Sequence, residues 1–203
     1  IPLGVISAVR RYSLLDNVLT VISVIGVSIP IFWFGILLII AFAVKWQMFP
    51  PGGMYTLGIP FSILDRLKYL IMPAVVLAST NLAQVVRYTR SAMLDVIQAD
   101  YVRTARAKGL TSTRVMGRHA LKNAMLPVIT VIGVLLPRLV GGTAITESVF
   151  AWPGVGRLAV DAAYQRDYPM IMAVTFVVSV AVVFSTLLVD LLYAYLDPRI
   201  HYD

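Results

Sequence analysis

DYVRTARAKGLTSTRVMGRHALKNAMLPVIT, residues 100–130, joins a basic stretch to an apolar one, and its reading decides what kind of chain this is. From Tyr101 to Lys122, six of 22 residues are Arg or Lys and none is acidic. At about 100° per residue, Arg103 and Arg106 share one helical face, while Tyr101 and Ala105 fall roughly opposite. Gly109 is placed to end that helix in a left-handed conformation. Thr111 can cap a second helix running through Val115 and His119 to Asn123. A helix, a glycine break and another helix make a compact knob that fits a cleft on a soluble partner, with Arg103 and Arg106 offered to carboxylates or carbonyls. A solvated basic loop and a nucleic-acid patch are the competing readings. The nucleic-acid reading is disfavoured because such sites add base-reading or stacking groups, and Tyr101 is the only aromatic side chain of Phe, Tyr or Trp type in the stretch.

The flanks of this segment place it beside a membrane. Apolar residues make up 59% of the chain and charged residues 13%, with a mean hydropathy of +0.84, outside the range of ordinary soluble domains. No charge occurs for 28 positions from Asn17 to Val44 or for 20 from Met170 to Val189, and Tyr69–Val86 and Asn123–Pro137 are also uncharged. About 20 mostly apolar residues cross the hydrocarbon core as a helix. The pattern predicts an all-α, polytopic transmembrane bundle with spans near 18–44, 69–90, 124–146 and 170–192. Asn81, Gln84 and Arg138 fall inside spans and are expected to face other helices or an aqueous path rather than lipid. Pro30, Pro73, Pro127 and Pro137 lie in or at the ends of spans, as static kinks or as bends that move.

Lys and Arg in short loops mark the cytoplasmic side. With Arg10 and Arg11 inside, the inner loops, including 87–122, collect eleven basic residues against five outside, so RTARAKG is cytoplasmic, as is the C-terminus. The opening IPLGVISAVRR has no basic region ahead of its apolar run and so does not read as a secretory signal. Residues 1–9 read instead as the end of a span that begins upstream, in an N-terminally truncated chain. There is no Cys, and His119 and His201 are isolated, so no metal site is expected. Neither a GxxxxGK[ST] phosphate loop nor a set of nucleophile, base and orienting group is found, so no catalytic residue is assigned.

The segment 100–130 closely resembles the cytoplasmic loop of the permease subunits of dipeptide and oligopeptide ABC importers. In that family the loop carries a Glu-Ala-Ala followed three residues later by Gly. Counting back from Gly109, those leading positions hold Arg103, Thr104 and Ala105, so only Ala105 and Gly109 match. Arg103 replaces the acid, and Lys122 stands where many relatives have Pro, with Pro127 supplied later; the peptide branch commonly reads this way. SIPIFWFGILLI at 28–39, TESVFAWPGVGRL at 146–158, RDYPM at 166–170 and LVDLLYAYLDPRI at 188–200 are similar to further landmarks of these permeases, in the same order.

The resemblance implies a type I ABC importer permease fold over 1–203, with 92–122 as the coupling loop. It implies that Tyr101, Arg103, Thr104, Ala105, Arg106, Lys108, Gly109 and Arg114 meet a cytoplasmic ATPase. The implied partners are two such ATPase subunits, which carry ATP and Mg while this chain binds no cofactor, a second homologous permease, and an external substrate-binding protein. The setting is the inner membrane of a bacterial or archaeal cell, with no nucleic acid involved. Relatives carry dipeptides, longer peptides, glutathione, nickel complexes or oligosaccharides.

Three smaller expectations carry alternatives. Phe150, Trp152, Pro153, Gly154 and Arg157 are either contacts for the binding protein or, for the two aromatics, interfacial anchors. Arg138, with Gly141 and Gly142 just beyond it, is either a pathway cation meeting a peptide carboxylate or an Arg snorkelling to the outer surface. Asp190, near the inner end of the last span, either pairs with Arg87 or meets headgroup water. A channel or secondary transporter would need mid-span carboxylates or an internal repeat, and an intramembrane enzyme would need paired catalytic residues; the sequence offers neither.

Overall fold

The fold is a computed structural model that describes residues 1–111, 114–141 and 143–196, with the backbone alone at 118, 119, 138, 140 and 193–196. Among the described residues the regular structure is helical, without strands. In chain order, α1 is Pro2–Val9, α2 Leu14–Ser28, α3 Ile31–Leu38, α4 Ile63–Ile97, α5 Asp100–Ala107, α6 Lys122–Val140, α7 Ala144–Val149, α8 Val155–Gln165 and α9 Tyr168–Leu196. Two π-helical segments extend this set: Ile39–Lys45 continues α3, and Val115–Leu121 leads into α6.

Among the described residues three helices are long and apolar enough to cross a membrane: Ile63–Ile97, Val115–Pro137 and Tyr168–Leu192. The uncharged run expected as one span near 18–44 is interrupted, and Leu14–Ser28 with Ile31–Lys45 makes a fourth only if the bent pair counts as one. The cause is local. Pro30 takes φ −58° and ψ 131°, and a proline disfavours helical backbone at the residue before it, here Ile29. Pro73 is tolerated inside the 35-residue α4, where packing can satisfy the carbonyl it frees.

Loop residues set the other boundaries. Arg166 adopts a left-handed φ of 56° at the end of α8. Asp167 then accepts the Met170 amide at 3.0 Å, capping α9, and Pro169 occupies the first turn, where no amide donor is required. RDYPM is thus a helix stop followed by a helix start. Ser13 does similar work for α2, its Oγ accepting the Asp16 amide at 3.2 Å.

The chain divides into two compact units. One comprises residues 1–26, 81–135 and 185 onward, the other 27–80 and 136–184. In the first, Ala8 of α1, Ala92 and Met93 of α4, Ala120, and Ala124 and Val128 of α6 form a buried core. The run of alanines lets these helix backbones approach closely. In the second, Met72 and Val76 of α4 and Phe150 are the buried centre, ringed by Ile31, Phe34, Leu38, Phe42, Phe49 and Val149.

Candidate functional site

The basic segment folds as a short amphipathic helix held down by its small apolar side. In α5, Val102 and Ala105 are buried against Val115 at the start of the following π-helical segment, with Val96 and Leu110 partly buried beside them. Residues three apart share a helix face, so the inward pair is Val102 and Ala105. The expected inward partner Tyr101 is half-exposed instead, its hydroxyl accepting from Asn123 Nδ2 at 3.1 Å. Val102 takes the buried position against Val115, and Tyr101 keeps its hydroxyl at the edge.

Arg103, Thr104, Arg106, Lys108 and Arg114 are exposed, so the outer side of the segment is cationic. Asp100 lies in the first turn, where an acid is favourable, and its carboxylate is 3.7 Å from Arg103 Nη1. Both side chains are open to solvent, so this contact contributes little. Gly109 adopts φ +76° with no atom near the position of an added Cβ, so it is there for its backbone conformation and not for a close approach. Its amide donates to the Arg106 carbonyl at 2.9 Å. The Val115 amide reaches the Thr111 carbonyl at 3.0 Å, and the second helix is a π-helical run that continues into α6. His119's side chain lies outside the described residues.

The same unit holds a buried polar cluster that the sequence reading missed. Asp16 is 1% exposed. Its Oδ1 accepts Arg90 Nε at 2.7 Å and the Ser7 hydroxyl, and its Oδ2 accepts Arg90 Nη2 at 2.8 Å and the Tyr12 amide at 2.9 Å. All four acceptor positions of the carboxylate are used, tying α1, α2 and α4 together. The expected Arg87–Asp190 pair is not formed: Asp190 is exposed, and the Arg87 guanidinium lies 5.6 Å over the Tyr88 ring. Matching depth along two helices did not specify facing sides.

The motif TESVFAWPGVGRL builds a second feature, in the other unit. Glu147 is buried, its Oε1 accepting the Thr143 amide at 2.8 Å and its Oε2 the Arg157 amide at 2.7 Å. It therefore caps α8 from outside and clamps the turn that precedes α7. The two glycines allow this: a Cβ on Gly154 would lie 2.3 Å from Glu147 Cδ, and one on Gly156 would lie 2.7 Å from the Ala144 amide nitrogen. Phe150 corrects the sequence expectation. It is 1% exposed and central to its unit's core, and its carbonyl accepts the Gly53 amide at 2.8 Å, so it is neither a free contact nor an interfacial anchor. Trp152, Gly154 and Arg157 are partly exposed and Pro153 is exposed; the Arg157 guanidinium turns to Asp161 at 3.6 Å.

Beside Glu147 is a cavity of about 240 Å³, lined by Leu70, Pro73, Ala74, Leu77, Leu139, Thr143, Thr146, Glu147 and Trp152. Thr146 is 2% exposed, and its hydroxyl has no hydrogen-bond partner among the described residues. Of the expected pathway residues, Gly141 donates to the Pro137 carbonyl at 2.8 Å, while Gly142 and the Arg138 side chain lie outside the described residues. Among the described residues no group of three or more His, Asp or Glu could hold a metal ion.

An all-helical membrane bundle with an exposed cationic knob between two long apolar helices defines a class of transport subunits. The chain belongs to the family described as the binding-protein-dependent transport system inner membrane component, which it matches over residues 1–202. It is a multi-pass membrane protein. It is 52% identical over its whole length to the oligopeptide transport system permease protein AppB of Bacillus subtilis, covering 64% of that protein. It is 41% identical to the dipeptide transport system permease protein DppB of Escherichia coli K12 over all of this chain and 66% of that protein. A di/tripeptide transport system permease protein DppB of Pseudomonas aeruginosa is also 41% identical, over 98% of this chain and 65% of its own length. The chain thus spans just under two thirds of each of these relatives.

Proposed function

We propose that this chain is the permease subunit of an ATP-driven, binding-protein-dependent importer of dipeptides or oligopeptides. It lines the translocation pathway beside a second, homologous permease. An external binding protein delivers the peptide, and two cytoplasmic subunits bind and hydrolyse ATP with Mg, so the chemistry of ATP lies outside this chain. The setting is the inner membrane of a bacterial or archaeal cell with the C-terminus inside. Supporting that orientation, ten of the 17 Lys and Arg residues are described residues of the unit that takes in 1–26 and 81–135, which gathers the loops read as cytoplasmic.

The observation that carries the reading is the construction of α5. Its cationic side is exposed while Val102 and Ala105 fasten it to Val115, the first residue of a helical run continuous with α6. A push or pull on the exposed side of α5 is therefore passed through packed side chains into a membrane-crossing helix. Packed contacts of this kind resist deformation, so α5 and the inner end of α6 move together when a partner closes.

The direct test is uptake of labelled dialanine into proteoliposomes holding the purified transporter with its binding protein. Accumulation that requires both ATP and the binding protein is the expected result. Equal uptake without ATP would contradict the reading in favour of a channel or secondary carrier.

A further inference from the structure

We propose that the loop before α4, residues 46–62, folds back onto the membrane surface, and that Arg66 beside it holds the phosphate of an anionic phospholipid. The uncharged run Tyr69–Val86 marks the hydrocarbon part of the membrane-crossing α4. Arg66 lies three residues before that run, about 4.5 Å along the helix axis, which is headgroup depth. A loop continuing outward from there would stand in water. Its side chains do not suit water: Leu57 is 84% exposed and Phe61 75%, with Ile59, Ile63 and Leu64 also exposed. Apolar side chains exposed in such a group mark a protein or membrane contact. The hydrogen bonds set the depth of the loop. Thr56 donates its amide to Asp65 Oδ2 and its hydroxyl to Asp65 Oδ1, both at 2.8 Å, and that hydroxyl lies 3.0 Å from the Tyr69 hydroxyl. Thr56 is thus pinned beside residues 65–69, at the start of the uncharged run, and Leu57 follows it.

The charge at that level is positive. From Lys45 to Lys68 the chain carries Lys45, Arg66 and Lys68 against Asp65 alone, and both Asp65 oxygens are engaged by Thr56. The Arg66 guanidinium carbon lies 4.8 Å over the Phe61 ring and 5.3 Å over that of Tyr55. These ring contacts fix the planar group without occupying its in-plane N–H donors. Among the described residues Arg66 makes no ion pair: the pairs are Arg90–Asp16, Arg103–Asp100 and Arg157–Asp161. A phosphodiester suits a fixed guanidinium, which can meet it with two parallel contacts, and the exposed Lys68 adds attraction to an anionic surface. Leu57 and Phe61 suit the acyl region of the same molecule. A lipid therefore supplies the apolar and the anionic part together, whereas a free phosphate would leave the apolar side chains in water.

The chain has no Cys, so a bimane fluorophore at Leu57→Cys reports on the loop in the complete transporter, its other subunits freed of cysteine, in phosphatidylcholine nanodiscs. Phosphatidylcholine and phosphatidylglycerol, each with a nitroxide on the acyl chain near the headgroup, are introduced in turn at equal mole fraction. The expected result is quenching by both lipids, with phosphatidylglycerol about fivefold more effective, the effect of one basic residue near an anionic surface. Arg66→Gln is expected to bring the two lipids level while quenching by phosphatidylcholine persists, and Arg66→Lys to keep part of the preference. A probe at the exposed Lys108→Cys stays unquenched. Absence of quenching at residue 57 would overturn the proposal and give the loop to water or to a protein partner. Equal quenching by the two lipids with Arg66 intact would overturn the headgroup site, and this arm needs no Arg66 variant to fold. A preference that survives Arg66→Gln would do the same, as would its loss on adding inorganic phosphate at constant ionic strength, which would assign Arg66 to a soluble anion.

Discussion

The Arg90 guanidinium meets the Asp16 carboxylate with two parallel contacts, Nε to Oδ1 at 2.7 Å and Nη2 to Oδ2 at 2.8 Å, across 74 residues of chain. This paired geometry adds direction as well as energy. With Ser7 and the Tyr12 amide on the same carboxylate, it fixes how α1 and α2 sit on the C-terminal half of α4. Asp16→Asn is expected to lower stability by about 3 kcal/mol, because it strands a guanidinium beside a neutral amide. The double variant Asp16→Leu/Arg90→Met is expected to lose less than the two single variants added together. Thermal unfolding of the four proteins in detergent checks both statements; strict additivity would show that the pair is not coupled.

Glu147→Gln removes one acceptor oxygen and sets an amide donor against a backbone N–H. A loss of about 2–3 kcal/mol is expected, seen as a lowered melting temperature. Gly154→Ala is expected to cost a similar amount by overpacking, about 1–3 kcal/mol, since the new methyl carbon would fall 2.3 Å from Glu147 Cδ. Gly117→Ala, at a glycine with open space around it and no left-handed φ, controls for adding a methyl group without a clash, and an equal cost at both positions would count against the close-approach argument.

The two sides of α5 should behave differently. Val102 is fully buried, so Val102→Ala is expected to destabilise by about 1–2.5 kcal/mol. Arg103→Glu and Arg106→Glu are expected to leave stability within about 0.5 kcal/mol while weakening association with the cytoplasmic ATPase. Calorimetry of the permease and pull-down of the ATPase separate these outcomes. A destabilising Arg103→Glu with normal pull-down would reverse the assignment of the two sides.

How far the sequence could be read follows from what each signal depends on. Charge-free runs report solvent directly, which is why α4, α6 and α9 overlap the uncharged stretches, although α6 ends at Val140 and not at the expected 146. Gly109 was legible because a left-handed helix end has a residue-level signature. The break at Pro30 was visible as a proline but not as an interruption, since prolines also sit inside continuous spans, as Pro73 does in α4. Asp16–Arg90 was illegible because no local period links residues 74 apart, and Arg87–Asp190 shows that equal depth is too weak a criterion. Phe150 was misread because a large aromatic in a loop motif suits a surface anchor and a core plug equally; the neighbouring Phe34, Phe42 and Phe49 decide in favour of the core. Glu147 carried the available hint, an acid four residues after Thr143 and shortly before the GVG that opens α8.

The central claim, that the segment around α5 is where the ATPase grips this chain, is tested most directly by co-purification. The permease is extracted with its partner subunits, as wild type and with Gly109→Pro, which forbids φ +76° and removes the amide donated to Arg106. Circular dichroism confirms that the bundle remains folded, and the bound ATPase is quantified. The account predicts one-step recovery of ATPase with wild type and loss of most of it with Gly109→Pro. Full ATPase recovery with the folded variant would contradict it.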